Sequence, residues 1–140
     1  MSVFISWAGA DREIKNVITK RLFDEKIPFF DSDEDCLSNF SEECIRNIRQ
    51  SSVFIVIVSE ASMDPHSYVR NEIIEARKME NDGRLNILVY KTTDVPYTEF
   101  FSFNLNHISD ANHVARKQSD DGGIDTLIKR VKHLLDLRKT

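Results

Sequence analysis

The sequence predicts an α/β fold, a doubly wound parallel sheet of about five strands with helices on both faces. Three observations predict it. Four short runs are continuously apolar and not alternating, as strands covered on both faces are. Between them lie stretches with apolar residues at helical spacing, and such alternation implies parallel strands joined by crossovers. The length of 140 residues is one domain's worth, so one domain over 1–140 is expected. A domain of this size buries roughly two thirds of its chain surface.

The strand runs are SVFIS (2–6), IPFF (27–30), SVFIVIVS (52–59) and LNILVY (85–90), with NHIS (106–109) as a short fifth strand. A first helix follows from Ile14, Val17, Ile18 and Leu22, with Asp11 as its N-cap. A second follows from Cys44, Ile45 and Ile48 behind Ser41, and a third from Val69, Ile73 and Ala76. Asn81-Asp82-Gly83 ends the third helix, with glycine as the left-handed cap. Behind Gly122-Gly123, the residues Ile124, Leu127, Ile128, Val131, Leu134 and Leu135 make the clearest amphipathic helix. The segment from 92 to about 121 is less regular.

Composition excludes several functions. Hydrophobic content of 41% and charged content of 30% are ordinary for a globular domain. The net charge of -4 provides no basic footprint for nucleic acid. No apolar run approaches the ~20 residues of a membrane helix, and the N-terminus lacks the basic start of a signal peptide. The two cysteines, Cys36 and Cys44, are not at metal spacing and fit a reducing, cytoplasmic setting in which a disulfide is disfavoured. The four histidines (66, 107, 113 and 133) show no ligand or catalytic spacing, and no metal is expected.

In an open parallel sheet the ligand crevice lies outside the carboxyl ends of the strands. The relevant loops therefore begin at Ser6-Trp7-Ala8-Gly9, at Asp31 to Cys36, and at Ser59-Glu60-Ala61-Ser62. The first turn, SWAGAD, holds a single glycine, which argues against a dinucleotide oxidoreductase. Phosphoacceptor receiver domains carry acids after the first strand and an Asp ending the third; this chain has Ser6-Trp7 and Ser59 there.

The stretch DPHSYVRNEIIEARK (64–78) opens as a helix, with Asp64 as cap and Pro65 at the first position, or else with a start near Ser67. The later start would bring Glu72 closer to the positive helix end. Glu72 lies three residues after Val69 and four before Ala76, so it flanks the buried stripe, with Tyr68 one turn away. Pattern alone leaves Glu72 open between a solvated charge and a functional carboxylate. It leaves Tyr68 open between a crevice residue and a staple on Met63.

The whole chain resembles a TIR (Toll/interleukin-1 receptor homology) domain, whose fold is flavodoxin-like. VFISWAGAD resembles the family's first box. IPFFDSDEDCLSNFSEECIRNIRQSSVFIVIVSEAS is similar to its second strand, BB loop, second helix and third strand. HSYVRNEIIEARK is similar to the segment that often reads Ser-x-Trp-Cys-x-x-Glu, with Tyr68 at the Trp, Val69 at the Cys and Glu72 at the Glu. EFF (99–101) is a weak echo of the third box. The BB loop lacks its usual glycine, and Ala8-Gly9 stands where many relatives carry Arg.

The resemblance implies an enzyme that cleaves NAD between nicotinamide and ribose, an NAD nucleosidase or ADP-ribosyl cyclase, with Glu72 catalytic. NAD is then substrate, and no cofactor is required. Tyr68 and Trp7 offer faces for stacking on the bases, Asp33 and Leu37 border the cleft, and Ser6 and Ser62 reach ribose or phosphate. Each has a plainer alternative: the serines cap turns, Trp7 is core, and the acids of 31–35 are solvated. The chain is similar to standalone bacterial TIR proteins of antiphage immunity, of the Thoeris-like kind. Their cyclic or conjugated ADP-ribose signal activates a separate effector. Simple NAD hydrolysis is the nearer alternative. A non-catalytic scaffold acting through TIR–TIR self-association belongs to another class. A nucleoside deoxyribosyltransferase-like enzyme is a third reading.

Overall fold

The computed structural model describes residues 2–31, 42–108, 113–115 and 123–139. Strand β1 (Ser2–Ser6) leads through a 3-10 turn (Gly9–Asp11) into α1 (Arg12–Asp24). Then follow β2 (Phe29–Asp31), α2 (Glu42–Arg49), β3 (Ser51–Val58) and α3 (Val69–Asn81). Strand β4 (Asn86–Lys91), α4 (Glu99–Leu105), β5 (His113–Ala115) and α5 (Ile124–Lys139) complete the fold.

All pairings are parallel, in the order β2-β1-β3-β4-β5. Strand order reverses between β1 and β3, so the crevice belongs at the carboxyl ends of those two strands. The continuous apolar run of β3 is explained by two covered faces. Val53, Ile55 and Ile57 pack with α1 and α5 through Ile18, Leu22, Leu127 and Val131. Phe54, Val56 and Val58 pack with α2, α3 and α4 through Ile48, Ile73 and Phe101. Successive strand side chains point to opposite faces, so neither face of β3 can be polar.

The differences from the expected elements have local causes. Strand β2 begins at Phe29 because Ile27 N–H bonds back to the Leu22 carbonyl at 2.9 Å and Lys26 takes a left-handed φ of 59°. Ile27 thus closes α1. The expected fifth strand at 106–109 is overturned: residues 106 and 107 form the turn that ends α4, and β5 is His113–Ala115. In α1 the buried face is Lys15, Ile18 and Leu22, while the expected core residue Val17 is 45% exposed. Asp11 occupies the α1 cap position without capping; its Oδ2 instead accepts a bond from Ser59 Oγ at 2.6 Å.

The end of α3 is as expected. Gly83 N–H donates to the Glu80 carbonyl at 2.9 Å and Arg84 N–H to the Met79 carbonyl at 3.0 Å, with Gly83 at φ 72°. This double closure needs a left-handed residue. A Cβ on Gly83 would meet nothing within 4 Å, so only the backbone resists substitution. Gly83→Ala is expected to cost about 1 kcal/mol, read as a lower urea midpoint with an unchanged slope.

Candidate active site

Helix α3 does not begin at Asp64. The Asp64 carboxylate instead accepts from His66 N–H at 2.8 Å, making a turn, and the helix starts at Val69 behind Tyr68. The start near Ser67 is the closer expectation, and Ser67 Oγ accepts from Val69 N–H at 3.2 Å. Glu72 therefore lies in the first turn of α3, near its positive end.

Glu72 is not a solvated charge. It is 3% exposed, between β1 and the first turn of α2. Ser6 closes β1 and shares its face with Phe4, two residues earlier. Its hydroxyl donates to Glu72 Oε1 at 2.6 Å. Cys44 Sγ lies 3.4 Å from Oε2. Burial pushes the Glu72 carboxyl up to about 8. The Ser6 bond opposes this shift, and the negative charge of Asp31 adds to it. The carboxyl is thus largely neutral at pH 7.

A second buried cluster occupies the same end of the sheet on the opposite face. Asp31 ends β2, with Lys15 Nζ on its Oδ2 at 2.7 Å and Trp7 Nε1 donating to its Oδ1 at 2.9 Å. Lys15 and Asp31 are 5% and 6% exposed. The Trp7 ring carries Lys15 Nζ at 4.8 Å and the Arg12 guanidinium at 5.1 Å from its centroid. Sequence reading missed Asp31 and Lys15. Asp31 was the first of an acidic run, and Lys15 sat beside apolar positions of an ordinary amphipathic helix. The one signal was a lysine adjoining the apolar stripe.

The structure brings together Ser6 and Glu72, and Trp7 stands nearby as a core residue of the α1 side, 6% exposed. Tyr68 is 48% exposed, one turn before Glu72. Ser62 is fully buried and serves the turn after β3. Its Oγ accepts from Ser59 N–H at 2.8 Å, and its N–H donates to Ser59 Oγ at 3.0 Å. Asp33 and Leu37 lie outside the described residues. The expectation of free thiols fails at Cys44, which is disulfide-bonded; the other cysteine, Cys36, lies outside the described residues.

A groove of about 560 Å³, lined by Phe23, Lys26, Ile27 and Phe29 among others, lies at the opposite end of β2 from Glu72. Among the described residues no cluster of His, Cys, Asp and Glu could hold a metal, and no helix is long and apolar enough to cross a membrane.

Together these features define a doubly wound α/β domain with a buried carboxyl at the point where strand order reverses. The model of the TIR domain matches residues 3–128, and the chain belongs to that family. No curated protein matches it. Among solved structures it is similar to the TIR domains in the activated Roq1 resistosome directly recognizing the pathogen effector XopQ. That likeness has a TM-score of 0.66 at 16% identity and covers 96% of this chain and 98% of that one. At this identity it establishes the fold.

Proposed function

We propose that the protein cleaves NAD at the bond between nicotinamide and ribose, with Glu72 as the catalytic group. The observation that carries this reading is the placement of Glu72. It is a buried carboxyl at the strand-order reversal, held by the hydroxyl that ends β1. Burying such a group costs stability unless something is gained from it, and perturbed carboxyls of this kind concentrate at functional sites.

The chemistry suits one carboxylate. Breaking the glycosidic bond builds positive charge on the ribose, and a negative group beside it stabilises the oxocarbenium-like state. Nicotinamide departs neutral, so no acid is needed. The working form is the carboxylate. With a value of about 8 for Glu72, the rate rises through neutral pH and levels above that value. A side chain 3% exposed meets substrate only after its cover shifts. Trp7 and Tyr68 are the stacking candidates, and helix N-terminal amides are the natural phosphate donors. Asp33 and Leu37 bordering the cleft, and Ser62 reaching substrate, belong to the same proposal.

The product proposed is a cyclic or conjugated ADP-ribose signal in antiphage immunity, acting in the cytoplasm on a separate effector. Self-association of TIR domains completes the active form. In support, the fold neighbour's TIR domains occur in an activated resistosome. The second reading, a non-catalytic scaffold, is favoured by one observation, the near-complete cover over Glu72.

The test is incubation of the full chain with NAD, following nicotinamide and ribosyl products by chromatography and mass detection, beside Glu72→Gln. Nicotinamide release that disappears in Glu72→Gln supports the enzyme, and the product mass separates hydrolysis from cyclisation and conjugation. No release at high protein concentration, with crowding agent and with infected-cell lysate, moves the reading to the scaffold.

A further inference from the structure

Several cations of the chain sit against carboxylates: Lys15 on Asp31, Arg21 on Asp125, Lys132 on Glu25. Arg70 and Lys91 differ. Among the described residues neither has a carboxylate within ion-pair distance, and each lies on an aromatic face instead. The Arg70 guanidinium is 4.4 Å from the centre of the Phe100 ring, and Lys91 Nζ is 4.5 Å from that of Tyr97. Both rings pack on the buried Phe101, at 5.9 Å and 6.4 Å between centres, so the core fixes them as one patch.

This patch lies at the end of the sheet that holds Glu72. Lys91 ends β4 two residues after Val89 and so points to the face covered by α3 and α4. Ser6, the partner of Glu72, ends β1 on the same face. Ser6 pairs with Val56 and Lys91 with Val58, which puts them two strands and two residues apart, roughly 12 Å by strand spacing and rise. Arg70 is in the first turn of α3, on the flank turned to α4, while Glu72 turns to β1 and α2. The first amides of α3 are already used: Val69 N–H donates to Ser67 Oγ at 3.2 Å and Arg70 N–H to the Ser67 carbonyl at 3.4 Å. Positive charge for a ligand at this helix end therefore comes from side chains. Asp94 and Glu99, the acids between β4 and α4, are exposed.

We propose that Arg70 and Lys91 bind the diphosphate of a dinucleotide, on the aromatic shelf that Phe100 and Tyr97 form beside the Glu72 crevice. The identity of that dinucleotide as NAD rests on the cleavage proposed above. A guanidinium stacked on a ring keeps its N–H edge outward, and an ammonium keeps three donors. A diphosphate accepts from both in charge-assisted bonds. In a chain of net charge -4, two cations without counter-charges make a local positive field at the mouth of the site. An extended dinucleotide carries its glycosidic carbon several ångströms from its phosphates. Held on the shelf, it lays the nicotinamide ribose over the N-terminal end of α3 toward Glu72. Binding energy gained at the phosphates thus positions the bond to be broken. Nicotinamide riboside, which has no phosphate, gains nothing from the shelf.

The test is calorimetric titration of the full chain with ADP-ribose at low salt, which reads binding without turnover. Arg70→Gln and Lys91→Gln are each expected to weaken binding ~10-fold, the loss of one charge-assisted bond. Arg70→Lys keeps the charge without the fork and is expected to fall between wild type and Arg70→Gln. Lys20→Gln removes a charge from the exposed face of α1 and is expected to bind as wild type does. Three results overturn the proposal: no binding of ADP-ribose to wild type, Arg70→Gln and Lys91→Gln proteins that bind unchanged, or an equal loss in Lys20→Gln, which would make the effect one of net charge. Inorganic pyrophosphate that binds more tightly than ADP-ribose would make the shelf a site for the free anion and overturn its assignment to a nucleotide. The NAD assay is run on the same proteins. Affinity lost in the two variants, with no nicotinamide release by wild type, keeps the shelf and removes the enzyme. Release with an unchanged KM for NAD in both variants keeps the enzyme and removes the shelf.

Discussion

Lys15→Met is expected to lower stability by about 3–5 kcal/mol, a large part of what a domain of this size has. The lysine and Asp31 are both buried, 2.7 Å apart, and the Trp7 N–H also donates to the Asp31 carboxylate. Methionine matches the length of the lysine stem, so packing changes little and the Asp31 carboxylate loses its lysine in a poorly solvated place. That penalty, and not the attraction within the pair, dominates the loss. The contrast lies at Arg49, which is 60% exposed and shares Glu75 with Lys78; removing it is expected to cost well under ~1 kcal/mol. Urea midpoints decide the matter. The double variant Lys15→Met/Asp31→Asn is expected to regain most of the loss, because neither buried charge remains. A Lys15→Met protein within ~1 kcal/mol of wild type would mean that the pair is solvated in solution and contributes as a surface pair does.

Glu72→Gln is expected to stabilise the protein at alkaline pH and to leave it nearly unchanged at pH 4.5, while abolishing the proposed activity. The sign follows from the carboxyl's value of about 8 in the folded protein against an ordinary value of 4.5. Below that ordinary value both folded and unfolded chains carry the proton, so the group makes no pH-dependent difference. Between about 4.5 and 8 the folded chain retains a proton that the unfolded chain has released. Wild-type stability therefore falls as pH rises, by up to ~1.4 kcal/mol per pH unit, and levels off above the folded value. The accumulated cost is on the order of 5 kcal/mol. Glutamine keeps the shape and still accepts from Ser6, but has no proton to lose. The difference between variant and wild type should thus open steadily from pH 4.5 to 8 in urea denaturation. A constant offset across that range would show that Glu72 ionises in the native protein as an ordinary carboxylate does.

The sheet was legible because its signal is local and strong. The run 52–59 is apolar at every position that the two faces of β3 require. Gly83 was legible for the same reason, since a left-handed cap leaves a mark on the residue itself. The start of α3 was less so. Asp64-Pro65 is a good helix opening by propensity, but its groups are used in a preceding turn. The fifth strand failed because an edge strand of three residues carries too little pattern to be told from a helix end.

The sequence by itself determined a doubly wound parallel fold and the loops at the carboxyl ends of its strands, and its resemblance to the family singled out Glu72, because apolar periodicity, turn residues and motif spacing are properties of neighbours along the chain. Tertiary structure alone decided what Glu72 is. Ser6, Asp31, Cys44 and Glu72 come from four different elements, and only the packing of β1, β2, α2 and α3 brings them together. Only that packing excludes water, and exclusion of water raises the carboxyl's pKa. The same holds for Lys15, which a helical wheel places beside the core and which only Asp31, arriving from β2, makes a buried charge.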